Sequence, residues 1–147
     1  MPAMNTPQFT WVKNRLDRKP QPVPPIYGPE IGANVVLHAA TTKFPRREYW
    51  VAASTIEAIL GQKVMPGLLD RYLGRTGYDA QLRDERDDPE RLDNVWEFVP
   101  GDRGAHGPFT TEAHKSSVLV DLDLHRGWWI GALALTGIWA GLRKLRS

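Results

Sequence analysis

The sequence contains no cysteine. That excludes disulfides, thiolate catalysis and Cys-based zinc sites, and it fits a cytoplasmic chain. Charge of one sign is lacking too: 19 basic and 17 acidic side chains leave a formal net charge of +2. The two signs interleave rather than form a patch, so nucleic acid is not an expected partner. No secretory signal is visible, because Met1–Phe9 has neither a basic n-region nor an apolar h-region.

Motifs that carry chemistry are missing as well. There is no GxGxxG, no P-loop and no GxSxG, and Lys43 has no Tyr four residues before it. His38, His106, His114 and His125 show no HExxH or other compact metal spacing. His38 lies beside an apolar helical stripe and is read as packing; His106 sits in a Gly-rich turn. Asp121 and Asp123 would share one face of a strand, as a solvated edge or as an acid–base pair. On its own chemistry the chain does not look like a complete enzyme.

What is present fits one domain of 147 residues, organised around Pro22–Ala53. Pro24 and Pro25 favour extended backbone and bar a helix before Ile26. Pro29 suits the first helical position, and Glu30 suits the positive helix end. Ile31, Val35 and Ala39 then recur at helical spacing until Pro45 stops the helix. Tyr49-Trp50-Val51 is a β-rich run, so a strand is expected there. Helix, turn and strand make one layer of an α/β sheet, and such a unit needs neighbouring strands.

Around it, Met1–Thr6 has no helical period, and Phe9, Trp11, Val12 and Leu16 suggest a short helix. Ser54-Thr55-Ile56-Glu57 fits a capping box, with Gly61 as the stop of that helix. Pro66 opens a third helix that closes near Gly77. The charged run from Tyr78 to Asn94 is expected to be a mobile surface loop or linker. Val95, Trp96, Phe98 and Val99 are expected to dock on a hydrophobic surface, and Val118–Leu124 alternates apolar and acidic residues.

Gly127–Leu142 carries no charge and is bracketed by Arg126 and by Arg143, Lys144 and Arg146. As a helix, roughly 16 residues reach about 24 Å, short of a ~30 Å hydrocarbon core. Trp128, Trp129 and Trp139 lie near its ends, where interfacial aromatics belong. Gly127/Gly131 and Gly137/Gly141 have small-xxx-small spacing. A short membrane span, a helix in the membrane interface and a helix buried in a larger core all remain open.

The runs MPAMNTPQFTWVKNRL, PQPVPPIYGPEIGANVVLHAA, PRREYWVAASTIEAILGQKVMPGLLDRYLGRTGYDAQ and RLDNVWEFVPGDRGAHGPF occur in this order. Together they resemble the C-terminal half of a bacterial short-chain dehydrogenase/reductase with a long C-terminal extension. The resemblance covers Met1 to about Phe109. It implies an α/β fold: the C-terminal part of a Rossmann-type, doubly wound parallel sheet over 1–77, mostly helical as it stands. The resemblance extends the expected strand to Glu48–Ala52, as the final parallel strand of that sheet. A partly disordered extension over 78–125 would follow, and then an apolar helix over 126–147, a candidate transmembrane helix.

Family members bind NAD or NADP through a Gly-rich turn and react through Ser and a Tyr-xxx-Lys pair. The resemblance places all of these upstream of Met1, so the chain is expected to be a truncated oxidoreductase, inactive and without cofactor when alone. The one cofactor contact it implies here is Thr6, matching the Thr that meets the nicotinamide amide in the loop after the sixth strand. Pro2-Ala3 stands where that loop usually has Pro-Gly, and the spacing to Thr6 is one residue shorter than the commonest form. The expected partners are a complementary Rossmann half, a second copy, or a membrane reached through Gly127–Leu142. A split dehydrogenase and a non-enzymatic, membrane-associated interaction module are the alternatives.

Overall fold

Short strands are held by residues far apart in the chain. The computed structural model describes residues 1–146. Strand β1 (Ala3–Met4) pairs in parallel with β3 (Ile26–Tyr27), in the register Ala3↔Ile26 and Met4↔Tyr27. Tyr27 is also bridged in parallel to His114. Ile26 and Tyr27 favour extended backbone, and both are buried. So the unpatterned start of the chain and the proline-rich loop each supply half of a strand pair.

Strand β2 (Arg18–Pro20) pairs antiparallel with β4 (Leu82–Arg86), placing Arg18 opposite Arg86 and Pro20 opposite Leu82. The charged run is therefore not the linker expected from its composition. Its acids meet the bases of the N-terminal segment: Arg18 pairs with Asp79 and Asp84, Lys19 with Glu85, and Lys13 with Asp93. Asn14 Nδ2 donates to Asp87 Oδ2 at 2.7 Å, and Arg91 Nε reaches the same oxygen at 3.1 Å.

Helix α1 (Pro29–Thr41) starts where Pro29 and Glu30 predict. It buries Ile31 and Val35, which pack with Tyr27, Val51, Ala52 and Val120 in the main core cluster. The strand expected over Glu48–Ala52 does not form. Tyr49 and Trp50 join neither sheet, although Val51 is only 2% exposed. A strand is a ladder, and among the described residues nothing pairs with this segment. Ala52 follows with a left-handed φ of 66°.

Helix α2 (Ala52–Val64) also departs from its sequence signals. Val51 holds the N-cap position, so Ser54 lies inside the first turn and caps nothing. Gly61 does not stop the helix. Pro66 does: the residue before a proline is pushed out of helical backbone, and Met65 takes φ −140° and ψ 60°. Pro66 then opens α3 (Pro66–Ala80), which buries none of its residues. The short helix expected around Phe9 shrinks to a 3-10 turn over Pro7–Thr10.

Val118–Leu124 is a helix, α4, rather than an alternating strand. It places Val120 in the core and aims Asp123 at Arg46. At about 100° per residue, Asp121 and Asp123 fall some 200° apart, so they form no carboxylate pair. Helix α5 spans Arg126–Arg146. Among the described residues no helix is long and apolar enough to cross a membrane. The spanning reading of Gly127–Leu142 therefore fails: α5 has 21 residues but no stretch of it is apolar enough, and the class observed is mixed α/β with two small sheets.

Candidate functional site

Thr6, the residue matched to a cofactor contact, lies just beyond β1. It occupies the N-cap position of the 3-10 turn with φ −106° and ψ 155°, but its side chain makes no capping bond. Its neighbour Asn5 is 1% exposed and acts as a hub. Asn5 N–H donates to the Tyr27 carbonyl at 2.8 Å, and its own carbonyl accepts from Gly107 N–H at 3.1 Å. Its side chain accepts from Phe109 N–H at 3.0 Å and donates to Thr110 Oγ1 at 3.2 Å. The short, planar Asn amide suits this position, because it carries a donor and an acceptor on one rigid group.

The loop bearing Thr6 is strapped down by residues 94–107. At one end Asn94 N–H donates to the Trp11 carbonyl at 3.2 Å; at the other, Gly107 binds Asn5. Phe109 anchors the strap: it is 1% exposed and meets Phe9 edge to face, with ring centroids 5.6 Å apart. Arg91, in the preceding segment, donates to the carbonyls of Phe9 and Val12.

Between strap and loop lies an open groove of about 600 Å³, lined by Trp11, Val95, Trp96, Phe98 and Arg103 among others. The Arg103 guanidinium sits 5.8 Å from the Trp11 ring centroid. Trp96 and Phe98 are 87% and 86% exposed, so they do not dock on the body of the chain as their apolarity predicts. They face the groove instead. Nothing in the local pattern distinguishes an aromatic that packs from one that lines an opening; the signal is Trp11, far away in sequence.

Charged groups stand beside both ends of the strap. Asp93 accepts from Lys13 Nζ and from Val95 N–H, and these bonds, the Lys13 one foremost, lower its pKa against a small opposing burial effect. His106, read as a residue of a Gly-rich turn, contacts the Glu30 carboxylate. Glu30 is lowered first by its own backbone N–H in the opening turn of α1, and further by His106. His38 packs edge-on against Tyr49, centroids 6.0 Å apart, as its position beside the stripe suggests. Among the described residues no cluster of His, Asp and Glu could hold a metal.

No family model, no curated protein and no solved structure matches this chain. The geometry therefore stands on its own residues: a parallel strand pair, a Thr6 side chain that makes no capping bond, and an aromatic groove lined by Trp11 and the strap. It can hold a flat or apolar small molecule, with Arg103 and Asp102 at hand for polar contacts. Among the described residues it shows no nucleophile–base pair.

Proposed function

We propose that residues 1–109 are the substrate-side, C-terminal part of an NAD(P)-dependent short-chain dehydrogenase/reductase and are inactive without a Rossmann half. The observation that carries this reading is the state of residues 48–51. Val51 packs in the core with Tyr27, Ile31 and Val35, yet Tyr49 and Trp50 have no strand beside them. That is the condition of a last sheet strand whose neighbour is missing: the faces are covered and the edge is open. The parallel pairing of β1 with β3, followed at once by a Pro29-started helix, agrees with the order of the resembling runs.

The residues present fit a nicotinamide cofactor at one point only. Thr6 sits past the end of β1 with its hydroxyl free of capping duty, so it can donate to or accept from an amide. No Gly-rich phosphate turn and no Tyr-xxx-Lys pair stands in the sequence, so this chain supplies neither the phosphate cradle nor the proton donor. Its part is to position: the strap fixes the Thr6 loop, and the groove accepts the substrate body. Holding reacting groups in register is where such an arrangement contributes to rate.

The test is to isolate the protein from its native source with an antibody to this sequence and to sequence everything recovered. The expected result is a Gly-rich turn and a Tyr-xxx-Lys pair, either upstream on the same polypeptide or on a co-isolated one, with saturable NAD(P)H oxidation. Recovery of a lone 16.6 kDa chain, or turnover by the 147-residue chain by itself, overturns it.

A further inference from the structure

Helix α5 leaves its apolar residues in water. Trp128, Ile130, Leu133, Leu135, Ile138 and Trp139 are all more than half exposed. A helix that is apolar over so long a run needs cover, from a protein core or from lipid. Four features of the helix decide which.

The first is the arrangement of bulk. At about 100° per residue, Trp128, Leu135, Ile138, Trp139 and Leu142 fall within one sector roughly 100° wide. Gly137 and Gly141 lie toward the other side, with Trp129, Ile130 and Leu133, while Gly131 falls inside the bulky sector. The helix has one bulkier face and one slighter one, the shape of an element that lies on a surface.

The second is charge. From His125 to Ser147 there is no acidic residue, while Arg126, Arg143, Lys144 and Arg146 are basic. Because the whole chain carries +2, the remainder is net acidic and the positive charge is concentrated at this helix. Arg126 stands at the N-terminal end, where the helix dipole disfavours a cation. Its position does nothing for the helix and suits an anionic surface lying along it. The third feature is tryptophan at both ends of the run, with Arg143 stacked on Trp139 at 4.3 Å. The fourth is length: 21 residues make a rod of about 31 Å, but the helix is not apolar enough to cross a bilayer.

We infer that α5 docks lengthwise onto an anionic lipid surface, with the Trp128–Leu135–Ile138–Trp139–Leu142 face in the acyl boundary and Arg126 and Arg143 reaching the phosphates. This does not depend on the dehydrogenase reading of residues 1–109.

The experiment uses the full 147-residue chain and vesicles of phosphatidylcholine, alone or with an equal part of phosphatidylglycerol. Co-sedimentation and a blue shift of tryptophan emission are expected with the mixed vesicles. Binding to phosphatidylcholine alone should be roughly tenfold weaker or more, and salt should weaken the mixed-vesicle binding. The double variant L135E/I138E alters exposed positions, so the fold survives, as circular dichroism will check, while lipid binding is lost. Leu133→Gln, outside the bulky sector, keeps its binding within about threefold. Absence of the wild-type chain from the lipid pellet overturns the inference. So does equal loss in L133Q and L135E/I138E, or self-association through α5 that leaves the vesicles bare.

Discussion

Phe109 gives its backbone N–H to the side-chain carbonyl of Asn5 at 3.0 Å, across 104 residues of sequence. Both residues are 1% exposed. The bond therefore forms away from water, where neither partner has a substitute. It fixes the end of the strap to the start of the loop that carries Thr6, and β1, β3 and the 3-10 turn are set around it.

Replacing Asn5 with Ala removes the acceptor of Phe109 N–H and the donor to Thr110 while keeping the backbone pairing with Tyr27. A buried donor left without a partner costs about 1–3 kcal/mol. Asn5→Ala should lower unfolding stability by that amount, measured by urea titration. A change below about 0.5 kcal/mol, the range of ordinary surface substitutions, would show that the hub carries no weight.

Gly107 stands where the strap crosses the loop. A Cβ there would lie 2.3 Å from the Thr6 carbonyl oxygen and 2.8 Å from Asn5 Oδ1. Neither oxygen is on a flexible side chain that can swing clear. Gly107→Ala should destabilise by about 1–3 kcal/mol, as overpacking does, and raise hydrogen exchange over residues 94–107. Gly74 gives the contrast: it lies in α3, and a Cβ added there would meet nothing within 4 Å. Gly74→Ala should stabilise by about 0.5–1 kcal/mol.

Where the sequence was readable, one local cause dominated. Pro29 started α1 and Pro66 started α3, because a ring that fixes φ acts whatever surrounds it. Where it misled, the cause lay elsewhere in the chain. Tyr49-Trp50-Val51 has strand propensity, but a strand also needs a partner that propensity cannot provide. The acids of 79–93 read as a solvated run because their partners Lys13, Arg18 and Lys19 stand some sixty to eighty residues earlier. The strap over residues 5–11 rests on Asn5–Phe109 and Asn94–Trp11 contacts that no local pattern announces.

Ser54 and Thr55 offer a gain in stability. Their hydroxyls are shielded from solvent and have no hydrogen-bond partner. Ser54 lies inside the first turn of α2, where Ala is also the better helix former. Ser54→Ala should raise stability by about 1 kcal/mol, read as a higher midpoint in thermal unfolding. A loss would mean that the hydroxyl has a partner in solution and that the start of α2 is held by it.

Acid should act on the strap through Asp93. Lys13 first, and then Val95 N–H, hold its carboxyl below its ordinary value of 3.8 in the folded chain. A carboxylate lowered by folding stabilises fully above its unfolded value, and that contribution disappears as pH falls through the folded value. Between neutral pH and about 5 the contacts of Asp93 should therefore stay unchanged. Followed by nuclear magnetic resonance, the Val95 amide should titrate with a midpoint below 3.8. In Asp93→Asn the same amide should show no such step, and exchange over residues 94–104 should already be faster at neutral pH. A midpoint at or above 3.8 in the wild-type chain would mean that the Lys13 bond does not persist in solution, and that the Asn94–Trp11 end of the strap stays closed without it.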